Sequence, residues 1–265
     1  MKRFIPFVPK HPAVSVIRLQ GVISSSGRGG LNDAGLAGLI EKAFAKGRPR
    51  AVALVINSPG GSPVQSSLIA ARIRRLSQEK KLPVHAFVED VAASGGYWLA
   101  SAADYIWADE TSIVGSIGVI SSGFGLEDFI ERYGIKRRVY TAGNSKSMLD
   151  PFQPENPEDV ARLKQLQEQI HQAFIHQITT RRAGKMPEGR DLFTGEIWAG
   201  QGAQEVGLID GIAHLVPKMK DLFGDKVRFN VFSQKRPFLA RFGMSLGDAA
   251  LATLEDRAAF ARFGL

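Results

Sequence analysis

The sequence predicts an α/β fold with a parallel-rich central sheet and flanking helices. Strand-like and helix-like segments alternate roughly every 30 residues, the pattern of right-handed βαβ units. Residues 51–57 (AVALVIN) are apolar without a break and end in turn residues, the signature of a strand buried on both faces. The size and composition agree. A chain of 265 residues, 44% apolar and 23% charged, reads as an ordinary globular protein able to bury a core without staples.

The elements follow in order. Residues 14–23 (VSVIRLQGVI) read as a Val- and Ile-rich strand, followed by a loop at Gly27, Gly29 and Gly30. Residues 34–46 place Leu36, Leu39, Ile40 and Phe44 on one helical face. After the strand 51–57 and the turn SPGG, Ser62 suits an N-cap and Pro63 the first position of a helix reaching about Leu76. Residues 83–88 and 105–108 read as strands around a small-residue helix, 95–103. The glycines of 113–120 (IVGSIGVI) suggest close backbone approach. A short helix over 126–133 and a strand over 136–141 come next. Beyond the proline-rich 150–157, Asn156 caps a long helix with Pro157 at its first position and Gly184 at its end. This divides the chain into an arm (1–13), a main domain (14–224) and a basic, Phe-rich extension (225–265). The six phenylalanines Phe229, Phe232, Phe238, Phe242, Phe260 and Phe263 of that extension are expected at subunit contacts, with peripheral membrane contact as the competing use.

With no cysteine there is no disulfide, thiolate nucleophile, iron–sulfur cluster or Cys-ligated zinc. Most of the net charge of +8 lies in residues 1–50, where nine Lys and Arg face only Asp33 and Glu41. No aromatics interleave with these charges, so they read as a solvated surface and no nucleic-acid partner is expected. No stretch approaches the roughly 20 apolar residues of a membrane span. The start, MKRFIPFVPKHP, lacks the apolar run of a signal peptide. The expectation is a cytoplasmic protein.

Two turns carry possible chemistry. In ALVINSPGGSPV a buried strand ends, Gly60 and Gly61 allow close backbone approach, and a helix begins with free N–H groups. That arrangement suits a negative oxygen. In EDVAASGGYWLASAAD, Ser94 sits between strand and helix among small residues, which permits a tight turn with an exposed hydroxyl. A nucleophile elbow uses the same physics, although GxSxG is absent. Alone, each reads first as a plain connection and only second as a site.

An activated serine needs a base. Of the five histidines, His85 reads as a packed or surface strand residue, His171 and His176 as solvated helix positions, and neither His11 nor His214 stands in a motif. Lysine is the alternative. Lys146 lies in a small polar turn (TAGNSKSML) that contains no carboxylate, although Asp150 follows directly. Lys136, beside Arg137 and Arg138, reads as solvated. A lysine base must start uncharged, which calls for burial and no carboxylate partner.

Taken together, NSPGG, AASGGYWLASAAD, GSIGV and TAGNSKSM, in that order, resemble the signal peptide peptidase A family of serine endopeptidases. The resemblance runs over about residues 14–217. It implies a crotonase/Clp protease-like fold, self-assembly into a homo-oligomer, peptide or protein substrates, and no metal or cofactor. It also implies roles: Ser94 as nucleophile, Lys146 as general base and Ser116 as the serine that hydrogen-bonds the lysine. The oxyanion hole falls to Gly95 with either Gly60 or Gly61. Members of the family usually carry an N-terminal membrane anchor, and no such run is present here. Two other readings share these features, a crotonase-type acyl-CoA enzyme and an inactive oligomeric scaffold.

Overall fold

Strands β1 (Ala13–Gln20), β2 (Ala51–Ser58), β3 (Val84–Ala93), β4 (Tyr105–Ala108), β5 (Ile113–Gly115), β6 (Ile197–Ala199), β7 (Gly211–Ile212) and β8 (Arg228–Phe232) form one sheet. They belong to a computed structural model that describes residues 11–25, 30–143, 145–234 and 257–265. The main path runs β6-β5-β3-β2-β1-β8, while β4 pairs with β3 and with β7. Every pairing is parallel except β5 with β6. The α/β, parallel-rich architecture read from the sequence is the one observed.

Helices α1 (Asp33–Ala45), α2 (Pro63–Lys80), α3 (Gly95–Ser101), α4 (Glu127–Arg132), α5 (Pro157–Arg181), α6 (Gly200–Glu205) and α7 (Leu215–Phe223) connect the strands. Three helix starts are set by local capping. Asn32 Oδ1 accepts from Gly35 N–H at 2.8 Å, Ser62 Oγ from Gln65 N–H at 3.4 Å, and Asn156 Oδ1 from Glu158 N–H at 2.9 Å. Such caps contribute about 0.5–2 kcal/mol each.

Every residue of β2 is buried, so its alternate side chains feed two cores. Leu54 and Ile56 face Ile69 and Ile73 of α2, Tyr97 of α3, and Phe174 and Ile178 of α5. Ala53 and Val55 face the other way, with Val14, Val16 and Phe87, toward Met219 of α7. A polar knot closes the first core. Arg182, 2% exposed, donates to Gly207 O at 2.9 Å and pairs with Asp210 at 2.7 Å. Lys185 reaches the other Asp210 oxygen at 2.5 Å, and the buried Tyr97 hydroxyl donates to Leu208 O at 2.6 Å. Burial raises the Asp210 carboxyl, but hydrogen bonds from Arg182, Lys185 and Ile106 N–H outweigh it and hold it below its ordinary value.

Three sequence expectations are corrected. β3 runs on past Val88 because Glu89 and Asp90 are accommodated in a register shift between Ile56 and Ser58, after which Ser58 pairs with Ala92. Residues 136–141 form no strand: among the described residues no other strand pairs with them. The sheet also continues past residue 224: β8 lies parallel to β1, and Phe229 and Phe232 pack, partly buried, against this chain's own cores. Phe238 and Phe242, like Gly27, Gly29 and residues 1–10 of the arm, lie outside the described residues.

The segment between β5 and α5 differs from the rest. α4 buries none of its residues, and Phe124 and Tyr140 are 85% and 90% exposed. Ile120, Phe129, Tyr133 and Ile135 are exposed beside them.

Candidate active site

The first core delivers Ser94 to the end of β3. There the chain turns sharply into α3, and Ser94 adopts φ 51°, ψ −122°, a region that side-chain-bearing residues rarely occupy. Its backbone is fully engaged. Ser94 N–H donates to Gly115 O at 2.8 Å, and Ser94 O accepts from Tyr97 and Trp98 N–H at 2.9 and 3.0 Å. Its hydroxyl makes no capping bond to the helix it precedes. The side chain is half-buried, so a strained backbone presents an uncommitted Oγ at the surface.

The Gly60–Gly61 turn lies against Ser94. A methyl group on Gly60 would stand 2.9 Å from both Ser94 Cβ and Gly95 N. A bridge to Ile23 orients the turn: Ile23 N–H donates to Gly60 O at 2.8 Å and Ser62 N–H donates to Ile23 O at 2.8 Å. In a parallel bridge this leaves the N–H of Gly61 facing away from Ile23. Gly60 N–H is already directed to Ser58 Oγ at 3.3 Å. Of the two glycines, Gly61 therefore offers the uncommitted donor, and it is exposed where Gly60 is buried. A methyl on Gly95 would lie 3.4 Å from Gly61 N, so the two peptide units are neighbours. Gly95 N–H begins α3 and has no intrahelical acceptor.

Ser116 is next to this cluster through the sheet. Ala93 pairs with Gly115, and the Gly115 carbonyl is the one that accepts from Ser94. Ser116 has φ 52° and donates its N–H to Glu196 O at 2.6 Å. The turn is tied from outside by His171 of α5, whose Nε2 lies 3.2 Å from Ile117 O.

Lys146 sits in an exposed turn of the segment between β5 and α5 and lines a shallow depression with Arg137, Val139, Met148 and Asp150, a lining that includes neither Ser94 nor Ser116. Among the described residues no hydrogen bond or ion pair joins it to Ser94 or Ser116. Asp150, the carboxylate nearest in sequence, is occupied by Arg137 at 2.8 Å. The burial expected of Lys146 does not occur within the single chain, where the residue is exposed.

The histidines divide differently from the sequence reading. His85 is packed as expected, 5% exposed, with Nδ1 accepting from Trp107 Nε1–H at 3.3 Å; burial lowers its basicity. His214 pairs with the exposed Asp109 at 2.8 Å. His176 is exposed, but His171 is half-buried and bonded, not solvated. The available signal was its spacing: 171, 174 and 178 fall on one helical stripe with the buried Phe174 and Ile178. Among the described residues no group of three or more His, Asp or Glu could hold a metal ion, and no helix is long and apolar enough to cross a membrane.

A family model described as peptidase family S49 matches residues 76–222, more than half of the chain. The chain belongs to peptidase family S49. Ser94, Ser116 and Lys146 all lie inside the match, and Gly60 and Gly61 precede it. The whole chain is similar, at 46% identity over 286 residues, to a Brucella melitensis protein named Na(+)/H(+) antiporter NhaA, and spans 39% of that relative's length. An Arabidopsis thaliana protein named Serine protease SPPA, chloroplastic, is 31% identical over 210 residues, which are 76% of this chain and 31% of the relative. The solved structure of a membrane-bound stomatin-specific protease overlays at a TM-score of 0.46 and 16% identity, covering 85% of this chain and 98% of that one.

Proposed function

We propose that this family S49 chain hydrolyses peptide bonds through an acyl-enzyme formed on Ser94. The observation that carries the reading is the uncapped Ser94 hydroxyl on a left-handed backbone, flanked by the uncommitted N–H groups of Gly61 and Gly95. In this mechanism Ser94 Oγ attacks the substrate carbonyl carbon. The carbonyl oxygen becomes an oxyanion between the two N–H groups, each contributing about 3–4 kcal/mol in studied hydrolases. Lys146, uncharged, takes the Ser94 proton and returns it to the leaving amine. Water then attacks the ester by the same route in reverse order. Ser116 orients the lysine amine.

Lys146 needs a drier setting than its exposed turn provides. The same segment carries the exposed Phe124, Phe129, Tyr133 and Tyr140, an apolar surface of the kind that subunit contacts cover. A homo-oligomer in which this segment docks on another copy answers both needs. The proposal keeps the protein cytoplasmic, with residues 225–265 as the segment to examine for peripheral membrane contact. Of the three sequence readings, the peptidase is the one that family membership supports.

The test is digestion of a diverse peptide library, read by mass spectrometry. Wild type cleaves it. Ser94→Ala and Lys146→Ala fall below about a thousandth of the wild-type rate, since losing one member of a catalytic unit removes nearly all of its effect. Either variant cleaving faster than that removes the role assigned to its residue.

A further inference from the structure

We propose that His171 is a positioning residue for the Ser116 turn, acting on the reaction through Ser116 and not as a base. The inference rests on the Ser94 and Ser116 roles proposed above. The turn 115–118 has most of its backbone fixed by the sheet and the β6 approach. Gly115 O is held by Ser94 N–H at 2.8 Å, and Ser116 N–H by Glu196 O at 2.6 Å. The peptide plane joining Ile117 to Gly118 is held differently. Its N–H end donates to Ser116 O at 3.0 Å, a three-residue turn with poor intrinsic stability. Its carbonyl end has one hydrogen bond among the described residues, the one from His171 Nε2 at 3.2 Å.

The arm that carries His171 is rigid. One turn further along α5, Phe174 stacks on Trp98 of α3 with ring centroids 4.8 Å apart. Beyond that, Gln177 Nε2 donates to Ser101 Oγ at 3.1 Å and Arg181 Nε to Ser101 O at 2.9 Å. Thus α5 is clamped to the helix that begins at the nucleophile. From that clamp His171 reaches the turn that carries Ser116. A carbonyl only accepts, so Nε2 carries the proton in this bond whether the imidazole is neutral or charged. With Nε2 occupied as a donor, His171 is not arranged to receive a proton from Ser94. Ile117 itself is fully buried, so its carbonyl has no ready replacement partner from solvent.

The experiment uses the best-cleaved peptide of the library with the full chain, in steady state. His171→Leu lowers kcat by roughly 10- to 100-fold with KM changed less than about threefold. His171→Gln, whose amide N–H has nearly the reach of Nε2, stays within about threefold of wild type. His171→Asn is polar but too short, and behaves like the leucine variant. The decisive arm is the double variant. In a Ser116→Ala background His171→Leu costs less than about threefold further, because the group it positions is gone. Wild-type kcat in His171→Leu, loss of activity in His171→Gln equal to that in His171→Leu, or full additivity with Ser116→Ala each overturns the inference. Ser94→Ala in the same assay separates this from failure of the underlying reading: only persistent cleavage there removes the nucleophile assignment itself.

Discussion

The backbone at Ser94 yields a stability prediction that is independent of any substrate. At φ 51°, ψ −122° a residue with a Cβ is strained by about 1–3 kcal/mol. Ser94→Gly relieves that strain and in exchange loses about 0.5–1 kcal/mol to the greater freedom of glycine in the unfolded chain. The net expectation is stabilisation of up to about 2 kcal/mol. At roughly 2–4 °C per kcal/mol for a chain of this size, the thermal midpoint rises by up to about 8 °C. Ser94→Ala keeps the Cβ and therefore the strain. Its missing hydroxyl served no cap, so its stability stays within about 0.5 kcal/mol of wild type. Differential scanning calorimetry on the three proteins at one concentration provides the comparison. The order Gly above Ala, with Ala equal to wild type and both variants inactive, is what a nucleophile held in strain produces. If Ser94→Gly melts below Ser94→Ala, or Ser94→Ala loses more than about 1 kcal/mol, the hydroxyl or the turn has a structural duty and the reasoning fails.

Gly60→Ala drives a methyl to within 2.8 Å of Ala93 O and 2.9 Å of Gly95 N, so kcat/KM falls at least about 100-fold; wild-type kcat/KM in this variant would show that the turn does not touch the site. Asp210→Asn leaves the buried Arg182 guanidinium without its counter-charge and costs about 3–5 kcal/mol in urea unfolding. Side-chain hydrogen bonds from Arg72 hold the Asp33 carboxyl below its ordinary value near 3.8. That pair therefore contributes stability above this value and loses it as pH falls through the lowered folded value, and Asp33→Asn removes this part of the acid dependence in pH-dependent melts. Phe124→Glu, at an 85% exposed position, lowers the mass measured by light scattering if the segment between β5 and α5 joins copies, and leaves it unchanged if it does not.

Much of this fold is legible because its signals are local. Ser62 with Pro63 and Asn156 with Pro157 mark helix starts through bonds spanning two or three residues, so sequence order suffices. The boundaries that moved depend on distant partners. Glu89 and Asp90 look like the end of a strand, yet β3 continues because β5 pairs with Val91–Ala93. Residues 136–141 have strand-like chemistry and no neighbouring strand, while 228–232 look like a tail and find β1. The site follows the same rule. Ser94, Ser116 and Lys146 stand in motifs, but the proposed choice of Gly61 over Gly60 rests on a bridge to Ile23, and the proposed role of His171 on a contact with Ile117. Burial is a property of packing, and for Lys146, the proposed base, the single chain does not supply it.

The central claim is that a substrate acyl group passes through Ser94. Its most direct test is rapid quenching of the protein with excess of a peptide p-nitrophenyl ester, followed by intact-mass measurement and mapping of the adduct. The account predicts one acyl group per chain, mapped to Ser94 in wild type, forming more slowly at the same residue in Lys146→Ala and absent from Ser94→Ala. An adduct on another residue, or peptide cleavage by a Ser94→Ala protein that carries none, contradicts it.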